Sequence, residues 1–251
     1  GGNLYENGEL EVDGVALRAL EVPLMLFSLS RGRVYNRAQK LVDRTDVMPD
    51  ERIKLLHTRA DFSLSRDRAT KKYLDSIACT NTLGGCPTLY INEIPRHQVP
   101  VAKRDKTDAL LSVRTADLMS VPPAAQYGVR EDIVKIVKWL RANSYERVAL
   151  LCHDHRDMAY ASSFPGAEYV YTEDPYVHLT LLTNTRLCIT YRPHSFLPCL
   201  SLGVPTVKIS YDERGLSMAE SIGLEQWNID MVRTRDVVSE VANRISNMGD
   251  L

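Results

Sequence analysis

The sequence predicts an α/β protein built as two Rossmann-like domains with parallel sheets. Three observations predict it. From Asp108 onward, short apolar runs alternate with helical patterns, the rhythm of a parallel sheet wound with helices. Those runs are β-branched and apolar at successive positions, as in strands covered on both faces. The polar stretch 92–107 carries two prolines and the cluster Lys103-Arg104-Asp105-Lys106, which reads as a linker. The expected domains are therefore residues 1–100 and 108–251.

In chain order, Val15 to Leu20 reads as a helix and Pro23 to Ser28 as a strand. Residues 31–72 hold twelve Lys or Arg against six acids, a local surplus of six positive charges. That surplus is read as solvated helix faces or as a wall toward an anionic or lipid-linked ligand. Asp61 to Asp67 looks like a strand running into a helix that continues to Ile77. Gly84-Gly85-Cys86-Pro87 then breaks the chain before a short predicted strand, Thr88 to Ile91.

In the second region Ala109 to Val113 is a predicted strand ending at Arg114. A loop with Pro122-Pro123 leads to a helix over Arg130 to Ala142. Ile133, Val137 and Leu140 form its apolar stripe, opposite Lys135, Lys138 and Arg141. Val148 to Cys152 is the next strand, ending at His153-Asp154-His155. After a short helix comes the strand Tyr169 to Tyr171. Asp174-Pro175 opens another helix with a cap and a proline in its first turn. Met218 to Ile222, stopped by Gly223, is a further helix. Val237 to Ile245 is the last, expected to close back across the domains.

The stretch from Thr185 to Asp212 organises this half. An apolar strand, Leu187 to Thr190, ends in Tyr191-Arg192. Pro193 opens a helix that runs to Leu202 and is stopped by Gly203-Val204-Pro205. A second strand, Thr206 to Ser210, ends in Tyr211-Asp212. Arg192 and His194 thus sit where a strand ends and a helix begins. That edge of an open α/β sheet binds ligands, and free N–H groups at a helix start favour an anion. The guanidinium of Arg192 suits a carboxylate or phosphate better than a lysine would. Arg114 is a second candidate cation at its own strand end. His153 and His155 flank Asp154 and either line the same cleft or face solvent. As metal ligands they lack an evident third partner.

Composition excludes several classes. With 251 residues, 44% hydrophobic and 25% charged, the chain can bury one large core or two modest ones. Lys plus Arg number 31 against 32 Asp plus Glu, for a net charge of −1, so no polyanionic partner such as nucleic acid is implied. No apolar run approaches the roughly 20 residues of a membrane span, and the polar opening does not read as a signal peptide. Five cysteines without a CxxC pair read as reduced, mostly buried thiols of a cytoplasmic protein. A metal site from Cys79 and Cys86 with His57 or His97 is the weaker alternative. The phosphate-gripping patterns GxGxxG and GxxxxGK[ST] are absent, which argues against NAD or ATP.

The stretch resembles the C-terminal signature of the polysaccharide pyruvyl transferases. In that family a strand ends in Arg-Leu-His, and a helix, Gly-Val-Pro, a strand and Tyr-Asp-x-Lys follow. The corresponding residues here are Arg192-Pro193-His194, Gly203-Val204-Pro205 and Tyr211-Asp212-Glu213-Arg214. Pro193 replaces leucine, which could tilt His194 toward the core, and Arg214 replaces lysine. Ser65-Arg66-Asp67 with Tyr73-Leu74 is similar to an earlier step in the same family. The resemblance spans about residues 60–215.

The resemblance implies the GT-B arrangement of two domains facing a cleft. It implies a first domain that lacks its front, with Gly1-Gly2-Asn3 the tail of a glycine-rich turn; otherwise the two glycines are added residues. It further implies transfer of a pyruvyl group from phosphoenolpyruvate to two hydroxyls of a sugar or lipid-linked glycan. Arg192 and Arg66, with Arg114 third, would hold the carboxylate and phosphate of the donor. His194 would move protons near neutral pH, and Pro193 and Ser195 would complete the substrate-binding set. No metal, nucleotide or flavin is required. A cytoplasmic location is expected, with peripheral association at the inner face of the membrane. The alternatives are a GT-B glycosyltransferase using a nucleotide sugar and a non-catalytic glycan-binding relative.

Overall fold

The computed structural model describes residues 4–93 and 106–250. Most of the predicted linker, Gly1-Gly2-Asn3 and His97 lie outside them. The chain divides into two units. One comprises Gly1–Asn36, Lys40–Pro87 and Asp212–Leu224, and the other Arg37–Gln39, Thr88–Tyr211 and Glu225–Leu251. The sequence reading left every residue after 108 in the second domain. Instead the segment after Tyr211 belongs to the first unit.

In the first unit Asp13 caps α1 (Gly14–Arg18), its carboxylate accepting from the Val15 and Ala16 amides at 2.8 and 3.1 Å. The strand β1 (Met25–Leu29) follows, then a two-residue antiparallel ribbon of β2 (Val34–Tyr35) and β3 (Leu41–Val42). Next come α2 (Asp50–Arg59), β4 (Phe62–Ser65), α3 (Arg68–Ser76) and β5 (Thr82–Leu83). The parallel sheet has the order β1-β4-β5. Its core gathers Tyr5, Leu26, Met48, Ile53 and Leu74. Asp67 caps α3 by accepting from the Thr70 amide at 2.9 Å, as a short acceptor just before a helix should.

The second unit holds β6 (Thr107–Val113), α4 (Pro123–Ala142), β7 (Val148–Cys152), α5 (Met158–Ser162), β8 (Glu168–Tyr171), α6 (Pro175–Thr183), β9 (Thr185–Thr190), α7 (Pro193–Ser201) and β10 (Thr206–Ser210). The helix α8 (Glu213–Ser221) belongs to the first unit, where it packs on α3. The chain then adds β11 (Asn228–Asp230) and α9 (Val237–Ser246) to the second. All five ladders of this sheet are parallel, in the order β11-β10-β9-β6-β7-β8. Every residue of β7 and β10 is buried, as in strands covered on both faces; β7 is an unbroken apolar run, whereas β10 carries Lys208 at its centre.

Three predicted elements differ. Residues 88–91 form part of a 3₁₀ segment, Pro87–Glu93, and not a strand. Pro87 lacks a ladder donor and sets a turn-like φ, and the end of the segment is tied to α7 by the Asn92 amide donating to Ser201 Oγ at 3.1 Å. The helix expected from Arg130 begins at Pro123, because a proline at the first helical position loses no hydrogen bond. The helix expected over Met218 to Ile222 begins at Glu213, where Asp212 caps it. The last helix packs on α4, β10 and β11 of its own unit.

All five cysteine side chains are buried and none forms a disulfide. No helix among the described residues is long and apolar enough to cross a membrane.

Candidate active site

Numbered along the chain, the six strands of the second sheet run 3-2-1-4-5-6, the doubly wound order. The order reverses between β6 and β9, and ligands of such sheets bind at the carboxyl ends beside that switch point. The residue after β6 is Arg114, and the second after β9 is Arg192. These strands pair directly, with Ser112 opposite Thr190. The Tyr191 amide donates to Ser112 O at 3.1 Å, extending the ladder by one residue. Thr190 then folds the turn: its hydroxyl accepts from the Arg192 amide and donates to the Arg192 carbonyl, both at 2.9 Å. Beneath this turn lies Lys208 of β10, 2% exposed. Its ammonium donates to Tyr191 O at 3.1 Å and Ile209 O at 2.7 Å.

Arg114 is nine-tenths buried. Its Nη1 lies 3.5 Å from Asp157 and 3.8 Å from Asp154, too far for good hydrogen bonds. Asp157 Oδ1 already accepts from the amide and hydroxyl of Thr115, each at 3.0 Å. Asp154 is engaged by Arg156, which holds its carboxyl far below the usual range. Arg114 Nε and Nη1 consequently have no hydrogen-bond partner among the described residues. Burial, then the charge of Arg192, lowers the Arg114 pKa. Two guanidinium groups thus stand at one sheet edge, and the buried donors of Arg114 are unused, an arrangement an anion would relieve.

The start of α7 supplies the remaining groups. Pro193 occupies the first helical position, and His194 after it is exposed. The proline therefore does not turn His194 into the core. Ser195, expected among the substrate-binding residues, is fully buried, with its hydroxyl 2.5 Å from His153 Nε2. The His153 ring meets His178 of α6 edge-on, with centroids 4.7 Å apart. His178 in turn hydrogen-bonds to the backbone of His194. Burial lowers the pKa of both histidines, and for His153 the neighbours His178, Arg192, His194 and Arg114 add to the effect.

The other candidates scatter. His155 is exposed, 3.5 Å from Asp154, and turns away from the role of its near neighbour His153. Arg66 ends β4 in the first unit, 4% exposed, with Nε 3.6 Å from Asp67. Arg214 also lies there. Its Nε and Nη2 donate to Asp212 at 3.0 and 2.6 Å while Nη1 reaches Glu6, a three-point grip that a lysine could not make. His57 is bonded to the Tyr5 hydroxyl at 2.8 Å. Among the described residues no group of three His, Cys, Asp or Glu side chains could hold a metal ion. Sequence reasoning missed His178 and Lys208. Neither lies at a strand end, and no local pattern marks them.

Comparison with known proteins adds a family. The polysaccharide pyruvyl transferase family model matches residues 45–213. No curated protein matches the chain. Among solved structures, a Listeria monocytogenes protein described as a UDP-N-acetylglucosamine 2-epimerase aligns with TM-score 0.57 and 13% identity over 94% of this chain. The S. aureus MnaA–UDP co-structure aligns with TM-score 0.56 and 13% identity over 95%. The Methanocaldococcus jannaschii UDP-GlcNAc 2-epimerase, in complex with UDP-GlcNAc and UDP, aligns with TM-score 0.53 and 13% identity over 78%. This chain spans 62%, 62% and 56% of those three chains respectively. At such identity the likeness is one of fold, the GT-B-like α/β architecture.

Proposed function

Because the chain belongs to the polysaccharide pyruvyl transferase family, we propose that it moves a pyruvyl group from phosphoenolpyruvate to a sugar diol. The products are a cyclic ketal and phosphate. The observation that carries the donor assignment is the Arg114–Arg192 pair at the switch point, with buried guanidinium N–H groups of Arg114 unbonded. Phosphoenolpyruvate presents two anionic groups, a carboxylate and a phosphate, and each can take a charge-assisted contact.

In the reaction the methylene carbon gains a proton and becomes a methyl group. Carbon 2 forms two bonds to the acceptor oxygens and loses its bond to the phosphate oxygen. The two hydroxyl protons leave, one balancing the methyl group and one the departing phosphate. His194, exposed at the start of α7, is the proposed proton carrier at this edge, since imidazole exchanges protons near neutral pH. Metal, nucleotide and flavin have no part in this scheme. The acceptor is a sugar or lipid-linked glycan, and the location cytoplasmic, with peripheral contact to the inner membrane face.

A second reading follows from the sheet order and from structural neighbours whose descriptions name UDP or UDP-GlcNAc: a nucleotide sugar with its diphosphate on Arg192. The test is incubation with phosphoenolpyruvate and with UDP-sugars, each with a panel of glycan diols. The expected outcome is release of inorganic phosphate with appearance of a ketal methyl signal in the proton NMR spectrum. Turnover of UDP-sugars with no phosphate released from phosphoenolpyruvate would establish the second reading instead.

A further inference from the structure

We propose that His153 and His178 form a clamp that positions the first turn of α7, and through it Arg192 and His194, for the anion. The inference rests on the anion-site reading given above. Its starting point is a missing cap. The residue at the N-cap of α7 is Arg192, which makes no side-chain cap hydrogen bond, and Pro193 follows. A helix start usually relies on a Ser, Thr, Asp or Asn side chain to hold its first turn, as Asp174 does for α6, Asp212 for α8 and Asp236 for α9. The helix that carries the site lacks one.

Two histidines from other elements supply the missing restraint. His153, at the end of β7, meets the Ser195 hydroxyl at 2.5 Å. His178, on α6, bonds to the His194 backbone. The two rings brace each other edge-to-face at 4.7 Å and 67°, a favourable aromatic geometry. Consecutive residues of one helical turn are thus held from two sides.

The clamp works with neutral imidazoles. The groups facing His153 are Ser195 and His194 of α7, His178 of α6, and the guanidinium groups of Arg192 and Arg114. A further positive charge among them would be repelled. An anion bound between the arginines would lessen that repulsion.

The experiment uses the full 251-residue chain and two readouts. The first is hydrogen exchange at the first-turn amides of α7 without ligand. The second is titration with phosphoenolpyruvate and, separately, inorganic phosphate. His153→Phe keeps a ring but loses the hydrogen bond, whereas His153→Gln places an amide where Nε2 stood. We expect about tenfold faster exchange and about tenfold weaker anion binding for His153→Phe and Ser195→Ala, with near-native values for His153→Gln. Native exchange in His153→Phe overturns the clamp whatever the ligand proves to be. Faster exchange with unchanged phosphoenolpyruvate affinity overturns the link to the anion. If the unaltered chain binds neither anion, the donor reading fails, while the exchange result still decides the clamp.

Discussion

At the scale of single residues, Arg192 and His194 should separate under mutation. Removing the guanidinium in Arg192→Ala deletes a charge-assisted contact worth about 1.5–3 kcal/mol. Phosphoenolpyruvate affinity should fall roughly 10- to 100-fold, measured by titration calorimetry. His194→Gln should bind the donor almost normally, because the residue is exposed and the anion contacts are elsewhere. Turnover should fall on the order of 100-fold, since an amide carries no titratable proton. Wild-type turnover in His194→Gln would remove it from the mechanism. A pH effect follows from the buried imidazoles. His153 and His178 have folded pKa values below the ordinary value near 6.5. Below that pH the unfolded chain binds protons that the folded chain refuses, so stability is complete above about pH 6.5 and declines as pH falls toward the folded values. Urea midpoints measured from pH 7.5 to 5 should drop, and His153→Gln should flatten the slope.

At the scale of elements, helix ends carry the consequences. Gly203 stops α7 with φ of +72°, and nothing lies within 4 Å of where a Cβ would stand. The constraint there is conformational, not steric crowding by neighbours. Gly203→Ala should cost about 1–2 kcal/mol, read from urea melts, with donor affinity unchanged because the other end of α7 holds the site. Asp174 caps α6 by accepting from the Tyr176 and Val177 amides at 2.8 and 3.3 Å. Asp174→Ala should cost about 1 kcal/mol and Asp174→Asn much less. Because α6 carries His178, the alanine variant should also loosen the first turn of α7 in hydrogen exchange. Equal melts for the alanine and asparagine variants would show that the cap contributes nothing.

At the scale of the whole molecule, a ligand that binds only the folded chain stabilises it by mass action. Phosphoenolpyruvate at 100 times its dissociation constant should add about 2.7 kcal/mol, seen as a rise in melting temperature. For Arg192→Ala, with its affinity lowered 10- to 100-fold, the gain at the same concentration should shrink to about 0.4–1.4 kcal/mol. A larger rise with UDP-GlcNAc than with phosphoenolpyruvate would favour the nucleotide-sugar reading.

The sequence by itself determined the α/β class, the strand ends and the placing of Arg114 and Arg192 just past two of them. Val148–Cys152 was legible to the residue because a strand buried on both faces leaves an unbroken apolar run, and Thr206–Ser210 because Gly203-Val204-Pro205 marks its start. Arg192-Pro193-His194 was legible because proline and glycine punctuate helix ends through local backbone geometry alone. The tertiary structure alone decided the strand order, which puts Arg114 beside Arg192. It alone decided that Lys208 lies buried under Tyr191, that His178 reaches the α7 turn and that Ser195 faces His153. It also gave Asp212–Leu224 to the first unit. These are contacts between residues distant in the chain. They are set by which apolar faces pack together, and no periodicity along the chain encodes that choice.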